Sequence, residues 1–184
     1  MSVAVRAREV DIAVGALLHP QLPGSHFAHA ARIALARRPE SAVQAYLDIA
    51  RQVPAWFDGL MRLRNAGMRL LGMKHLGAIR SVPVHAPEGL AVGDRLGIFT
   101  VRALTADGVV LGDSDRHLRV ELSVELGPGD DSCQLQVSTV VHLHRPFGRL
   151  YMLPVAPLHR VIVPHLLGRY ARTMAARGRD LADR

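Results

Sequence analysis

The stretch Thr139-Val-Val-His-Leu-His-Arg-Pro-Phe-Gly-Arg-Leu-Tyr-Met-Leu-Pro-Val-Ala-Pro-Leu-His-Arg-Val-Ile-Val163 contains the change of pattern that decides the fold. Before Pro146 the apolar residues alternate, whereas after Gly148 they recur with a period of about 3.6 residues. The first pattern predicts the last strand of a sheet, and the second predicts a long helix. Because the helix has a wide apolar face, we expect it to lie across the sheet that the rest of the chain builds.

Composition predicts one folded domain. The chain has 184 residues, of which 49% are hydrophobic and 21% are charged, and this balance is typical of a globule with a buried core. Aromatic residues make up only 4%, so we expect a largely aliphatic core. We assign residues 1–24 to an N-terminal arm or peripheral strand, 25–177 to a single domain and 178–184 to a C-terminal tail.

The formal net charge of +7 suggests nucleic acid or an anionic membrane as a partner. However, the arginines are scattered, and no aromatic residues are interleaved with them to stack on bases. The apolar segment of residues 10–18 is too short to span a membrane and carries Asp11. We therefore expect neither a nucleic-acid nor a membrane partner. The single cysteine, Cys133, excludes an internal disulfide and suits a cytoplasmic location.

Residues 116–126 and 132–143 are predicted to pair as antiparallel strands around an intervening glycine-rich turn. Val120 and Leu122 alternate with polar residues in the first strand, as do Val137 and Val141 in the second. Alternate side chains of a strand face the same side of a sheet. These four residues are therefore predicted to be buried, and their polar neighbours more exposed: His117, Glu121, Gln134 and Gln136.

The remaining elements are predicted from their periods and from the residues that interrupt them. They are a first strand over 26–36, a helix over 39–51, a second helix from Pro54 to about residue 71, a strand over 96–104, and a further strand that begins at Val109 after a turn. The C-terminal helix is predicted over 156–177, with Pro157 in its first turn and a kink at Pro164. Its inner side is expected to carry Leu158, Ile162, Leu166, Tyr170 and Met174, with Val161 and Leu167 widening the apolar face.

This order of elements resembles the α+β helix-grip fold of Bet v 1-like and START-like (SRPBCC) proteins, in which a curved antiparallel sheet wraps around a long C-terminal helix. More closely, the chain resembles a bacterial family known as a domain of unknown function, some of whose members follow an NAD(P)-binding short-chain-dehydrogenase-like domain. The resemblance spans residues 25–177, and it rests on Trp56-Phe57, Leu63-Arg64-Asn65, Gly112-Asp113-Ser-Asp115-Arg-His117-Leu118, Ser138-Thr139-Val140-Val141, Phe147-Gly148-Arg149-Leu-Tyr151-Met152 and Pro157-Leu-His159-Arg160. It implies a fold and a largely apolar cavity, but no catalytic residues.

The candidate ligand-binding residues are those expected to face the space between the sheet and the helix. They are Phe57, Met61, Phe99, Val101, Leu122, Val137, Tyr151, Leu158, His159 and Ile162. An ordinary filled core would use the same residues, so the sequence leaves cavity and core open. Arg149, Tyr151 and His159 are expected at the cavity mouth, where a phenol and an imidazole are candidates for acid–base catalysis, for structural anchoring or for orienting a ligand.

Metal-capable side chains form a second group. Asp113, Asp115 and His117 precede one strand of the predicted pair, and His142 and His144 end the other. Pairing of the two strands is expected to bring Asp115 beside His142 or His144. Strand alternation, however, puts the histidines on the outer face of the sheet, away from the cavity. We therefore predict hydrogen-bonded pairs and no metal site.

These observations predict a small-molecule binding protein with an apolar cavity for a hydrophobic or amphipathic ligand. One alternative is a cyclase-, hydratase- or isomerase-type enzyme with acid–base residues at the cavity mouth. Another is a module that docks on a dehydrogenase-like partner, and a homodimer is a further candidate assembly. No cofactor is predicted, since no glycine-rich phosphate-binding loop is present.

Overall fold

A computed structural model of the chain describes residues 6–54, 59, 82–128, 133–144 and 147–182. Within these ranges seven strands form one curved antiparallel sheet, in the order β1-β2-β7-β6-β5-β4-β3. The elements are β1 (Arg8–Val10), a 3-10 turn (His19–Gln21), β2 (Phe27–Leu35), α1 (Ala42–Arg51), β3 (Arg95–Leu96), β4 (Phe99–Leu104), β5 (Gly108–Ser114), β6 (Leu118–Pro128), β7 (Cys133–Leu143) and α2 (Phe147–Ala182). The α+β helix-grip class is confirmed. The predicted second helix lies outside the described residues, except for Pro54 and Gly59.

The predicted pairing of the two long strands is confirmed. The register of β6 and β7 runs from Leu118 opposite Leu143 to Pro128 opposite Cys133. β2 adds to the other side of β7, with Phe27 opposite Val141. Alternate residues of these three strands form one inner face, toward which α1 and α2 pack.

The prediction of which residues of this hairpin are buried and which are exposed is wrong at several positions. Glu121 and Gln136 are only 9% and 7% exposed, whereas Val120 and Leu122 are half-buried. The reason is that both faces of the sheet are occupied. The inner face opens onto a cavity next to the two apolar residues, while the outer face that carries Glu121 and Gln136 is covered.

The cover of the outer face is the N-terminal segment that follows β1. Ile12 and Leu18 are buried there in a second apolar cluster with Val110 and Val140 of the sheet. The segment is also tied down by polar contacts, because the Leu17 backbone N–H donates to a Glu125 carboxylate oxygen at 2.9 Å. The sheet therefore has an apolar cluster on each face.

Helix α1 begins three residues later than predicted. Ser41 is its N-cap, with extended backbone and a side-chain oxygen that accepts from the Gln44 backbone N–H at 3.0 Å. This contact satisfies a donor that the first turn of a helix leaves free. Pro39 consequently precedes the helix instead of occupying its first turn. The predicted apolar face is confirmed as buried: Val43, Tyr46, Leu47 and Ala50.

The single strand predicted over 96–104 is in fact two strands joined by a tight turn. Leu96 pairs with Phe99, which leaves Gly97 and Ile98 as a two-residue hairpin loop. Gly97 has a φ of 63°, and Ile98 has no positive φ. A hairpin with positive φ only at its first central residue is of the type II′ kind, which favours glycine there. The apolar composition of the segment concealed this turn.

Helix α2 begins at Phe147, nine residues before the predicted start, so that Pro154, Pro157 and Pro164 all lie inside it. The prolines suggested a later start because each removes a helical hydrogen bond. Packing outweighs that loss, since Met152 in the early part of the helix is buried against Phe27 and Val141.

The inner side of α2 agrees with most of the prediction. Ile162, Leu166, Leu167 and Tyr170 are buried, and Met174 packs partly against the main core. Val161 is the exception, because it is 70% exposed instead of widening the apolar face. It lies one residue before Ile162, about 100° around the helix, and therefore points away from the sheet.

Candidate ligand-binding cavity

An apolar cavity of about 270 Å³ lies between the inner face of the sheet and the two helices. An engineered cavity of about 150 Å³ already holds benzene, so this space has room for a larger aromatic molecule. Its lining comes from β2, α1, the β3–β4 hairpin, β5 to β7 and α2. The lining residues are Phe27, Tyr46, Ile49, Ala50, Val53, Ile98, Phe99, Asp113, Asp115, Leu118, Val120, Leu122, Val124, Val137, Thr139, Val141, Met152, Val155, His159, Ile162, Val163, Leu166 and Leu167.

The structure places five of the predicted ligand-binding residues in this lining: Phe99, Leu122, Val137, His159 and Ile162. Strand alternation and the helical period were the signals that identified them. Val101 is wholly buried in the main core and does not reach the cavity. Leu158 is half-buried outside the lining. Phe57 and Met61 lie outside the described residues.

Of the three residues expected at the mouth of the cavity, the structure places one in the lining. His159 lines the cavity, whereas Arg149 is exposed and does not contribute to the lining. Arg149 lies one turn before Leu153, which is itself exposed, so both project from the outer side of α2. Tyr151 belongs to α2, but its side chain lies outside the described part of the chain. No arrangement of the three as a catalytic group follows from their placement.

Thr139 and His159 are polar residues of the otherwise largely apolar lining, and together with His29, which lies behind them outside the lining, they form a polar spot. His29 and Thr139 are direct partners across the β2–β7 pairing, so their side chains are neighbours on the same face. The ring of His159, on α2, meets the His29 ring edge to face, with centroids 5.2 Å apart. Phe27 packs against His159 in the same manner at 5.5 Å. Sequence reasoning missed His29, although its odd-numbered position among inward-facing residues of β2 was a usable signal.

Both imidazoles of the polar spot are held in the neutral form. Burial, with a smaller effect of His29, lowers the pKa of His159 from 6.5 to about 4. Burial also lowers the pKa of His29, and the Arg160 guanidinium adds to this lowering while the Glu9 carboxylate opposes it. The Glu9 oxygen lies 3.8 Å from His29 Nε2, too far for a hydrogen bond. Both groups are therefore uncharged at neutral pH.

Several polar atoms of the spot have no hydrogen-bond partner among the described residues. They are both ring nitrogens of His29, Thr139 Oγ1 and His159 Nδ1, and each is buried. Burying such a group without a partner costs about 1–3 kcal/mol. Of these atoms, Thr139 Oγ1 and His159 Nδ1 belong to residues that line the cavity, so the cavity wall carries unsatisfied hydrogen-bonding groups. The hydroxyl of Tyr46, in another part of the lining, is likewise unpartnered.

The charged part of the lining is acidic. Asp113 is the penultimate residue of β5 and Asp115 lies in the turn to β6, and no lysine or arginine is found among the described lining residues. The Asp115 side chain accepts from the backbone N–H groups of His117 and Leu118 at 2.7 and 2.9 Å, so it also fixes the turn. The Asp113 carboxylate lies 4.0 Å from Arg95. The charged groups that a ligand meets in the described cavity wall are therefore carboxylates.

Comparison with known protein families identifies the family of this chain. The family model described as a protein of unknown function (DUF2867) matches residues 21–166. The chain belongs to the DUF2867 family. The match includes β2, α1 and β3 to β7, and it extends along α2 as far as Leu166 in the cavity lining. No curated protein matches the chain.

The metal-capable residues of this DUF2867 protein are spread around the β5–β6 turn and the end of β7. His144 Nδ1 lies 3.2 Å from the Asp115 carbonyl oxygen, and His142 Nε2 lies 3.4 Å from that of Pro23. His117 Nε2 accepts from the Arg116 guanidinium at 2.8 Å. Within the described ranges, no three or more histidine, cysteine or acidic side chains are grouped as a metal site requires. The expectation that no metal is bound stays a prediction.

None of the described helices is long and apolar enough to cross a membrane.

Proposed function

We propose that this DUF2867 protein binds a hydrophobic or amphipathic small molecule in the cavity between its sheet and α2. The observation that carries the proposal is the apolar cavity of about 270 Å³ between the sheet and the two helices. Protein interiors are normally close-packed, and an unfilled space of this size forfeits contacts that its lining would otherwise make. Occupation by an apolar ligand restores those contacts, and this gives the cavity a function.

A variant that fills the cavity tests the proposal. Val120 lines the cavity and is half-buried. We expect Val120→Phe to weaken binding of the neutral fluorescent probe N-phenyl-1-naphthylamine at least tenfold, because the added ring occupies the space that the probe needs. Stability is expected to change by less than about 1 kcal/mol, whereas the same enlargement in a filled core costs about 1–3 kcal/mol. Fluorescence titration and urea unfolding provide the two measurements.

Val161→Phe is the matched control, since it adds the same ring at a position that is 70% exposed on the far side of α2. It is expected to bind the probe like the wild-type protein. A wild-type protein that does not bind the probe would overturn the proposal.

The alternative functions stay predictions. Membership of the SRPBCC superfamily would agree with a cavity of this kind, and a cytoplasmic dehydrogenase-like partner would agree with the fused relatives that the sequence resembles. An enzyme of the cyclase, hydratase or isomerase type is favoured by one observation, namely that His159 is an uncharged imidazole in the cavity wall. Turnover would require this imidazole to reach a bound substrate.

A further inference from the structure

We infer that the ligand of this cavity is uncharged and carries one oxygen-bearing polar group, a hydroxyl or a carbonyl, which is hydrogen-bonded by the spot that Thr139 and His159 form with His29. This inference rests on the proposed function and specifies the class of ligand. It follows from the position of the unpartnered polar atoms and from the charges around the cavity.

Two residues of the cavity wall have hydrogen-bonding groups available to a ligand. Thr139 and His159 both line the cavity, and each has a buried polar atom without a partner among the described residues. A hydroxyl group can donate and accept, and so can a neutral imidazole through its two nitrogens. The spot can therefore satisfy both the donor and the acceptor of a ligand hydroxyl, or the acceptor of a carbonyl. A purely apolar ligand would leave the same atoms unsatisfied.

The polar spot is part of the packed framework of the fold and is not a surface feature. The side chain of His29 is 0% exposed, and Thr139 is 4% exposed. His29 is held by direct strand pairing to Thr139, and His159 is clamped edge to face between Phe27 and His29. Rings fixed in this way keep their nitrogens in place before a ligand arrives, which lowers the entropic cost of binding.

The charges around the cavity disfavour an anionic ligand. The charged side chains in the described lining are Asp113 and Asp115, and Arg95, 4.0 Å from the Asp113 carboxylate, is not among the lining residues. Arg160, the guanidinium near the polar spot, packs over the Phe27 ring at 5.8 Å but does not line the cavity. An anionic head group would lose its hydration without gaining a positive partner. This excludes carboxylates and phosphates as the polar group of the ligand.

A series of two-ring ligands tests the inference. Naphthalene, 2-naphthol and 2-naphthoate share one apolar body and differ in having no polar group, a neutral hydroxyl or a negative charge. Each is titrated against bound N-phenyl-1-naphthylamine, and its affinity is calculated from displacement of the probe. We expect 2-naphthol to bind about five- to tenfold tighter than naphthalene, as one net hydrogen bond allows. We expect 2-naphthoate to bind more weakly than either.

Two variants test whether the preference for 2-naphthol over naphthalene depends on the polar spot. Thr139→Val removes the hydroxyl with little change of shape, and His159→Phe keeps an aromatic ring between Phe27 and His29. Each is expected to reduce the ratio of the naphthol and naphthalene affinities at least threefold while leaving naphthalene binding nearly unchanged. Thr139→Ser, which retains the hydroxyl, is expected to keep the ratio. Should His159→Phe fail to fold, Thr139→Val decides the matter alone.

Ser138→Ala is the matched control from the same strand. The Ser138 hydroxyl is buried on the outer face of the sheet and accepts from Gln136 Nε2 at 3.0 Å, so its removal leaves the cavity unchanged. The affinity ratio is expected to stay at the wild-type value. Equal binding of naphthol and naphthalene by the wild-type protein, an unchanged ratio in Thr139→Val, or tightest binding of 2-naphthoate would overturn the inference while leaving the apolar cavity as a binding site. Failure of the probe and of all three ligands to bind would overturn the proposed function and this inference together.

Discussion

His159 is an imidazole that its surroundings keep without charge. Its ring is enclosed by Phe27 and His29 and lines an apolar cavity, so protonation in the folded state would place a charge where water cannot solvate it. The unfolded chain has no such restriction. Protonation is therefore coupled to unfolding, and the stability of the domain depends on pH through this residue.

The direction of this dependence follows from the lowered pKa. Between pH 6.5 and about 4 the unfolded state binds a proton at His159 that the folded state does not. Above pH 6.5 the protonation of His159 therefore does not reduce the free energy of unfolding. As the pH falls toward 4, this free energy decreases by up to about 3 kcal/mol. We expect urea unfolding to show a weaker loss over this range for His159→Phe than for the wild-type protein. Parallel curves for the two proteins would contradict the neutral, buried state of His159.

At the scale of elements, the N-terminal segment is the part of the fold that stabilises the outer face of the sheet. Leu18 is 1% exposed within the outer cluster, while Val14 on the same segment is 86% exposed. Gly108 of β5 supports this packing, since a Cβ at this position would lie 2.6 Å from the Leu17 side chain. The segment and the sheet are therefore closely fitted where they meet.

We expect Leu18→Ala to lower the free energy of unfolding by about 2–5 kcal/mol, as for other large-to-small changes at buried sites. Val14→Ala is the matched control and is expected to change it by less than about 0.5 kcal/mol. Chemical denaturation of the two variants measures both. A cost for Leu18→Ala as small as that for Val14→Ala would mean that the segment does not contribute to the stability of the sheet.

The elements also show what the sequence could and could not predict. The β6–β7 pairing followed from two alternating patterns around one turn, which are local signals. The start of α2 did not follow, because its prolines oppose a helix locally and only long-range packing of residues such as Met152 stabilises it. The cover of the outer face did not follow either, since residues 10–22 have no regular period.

The same distinction applies to the cavity. Leu122, Val137 and Ile162 were predicted to face it because each belongs to a regular apolar pattern. The polar spot was not predicted, because it depends on the pairing of β2 with β7 across more than 100 residues of chain. No local pattern indicates that His29 lies opposite Thr139, or that the His159 ring contacts His29.

At the scale of the whole molecule, binding in the cavity and folding are linked. A ligand that binds only the folded state stabilises it in proportion to the logarithm of its concentration. With N-phenyl-1-naphthylamine at about 100 times its dissociation constant, we expect about 3 kcal/mol of added stability and a rise in Tm of about 5–10 °C for a chain of this length. Differential scanning calorimetry measures the rise. Because Val120→Phe is expected to bind the probe at least tenfold more weakly, the same concentration should raise its Tm by about half as much or less, and an equal rise in both proteins would indicate binding elsewhere.

The two margins of the sheet are its shortest strands, β1 with three residues and β3 with two. Unpaired backbone groups on a long outer strand invite another chain to add to the sheet, and this is how many sheet proteins aggregate. Behind β1 lies the nine-residue apolar strand β2, of which β1 pairs only with Ala30, Ala31 and Arg32. The N-terminal strand covers the middle of this edge, and its short length and its charged residues Arg8 and Glu9 disfavour pairing with a second copy there.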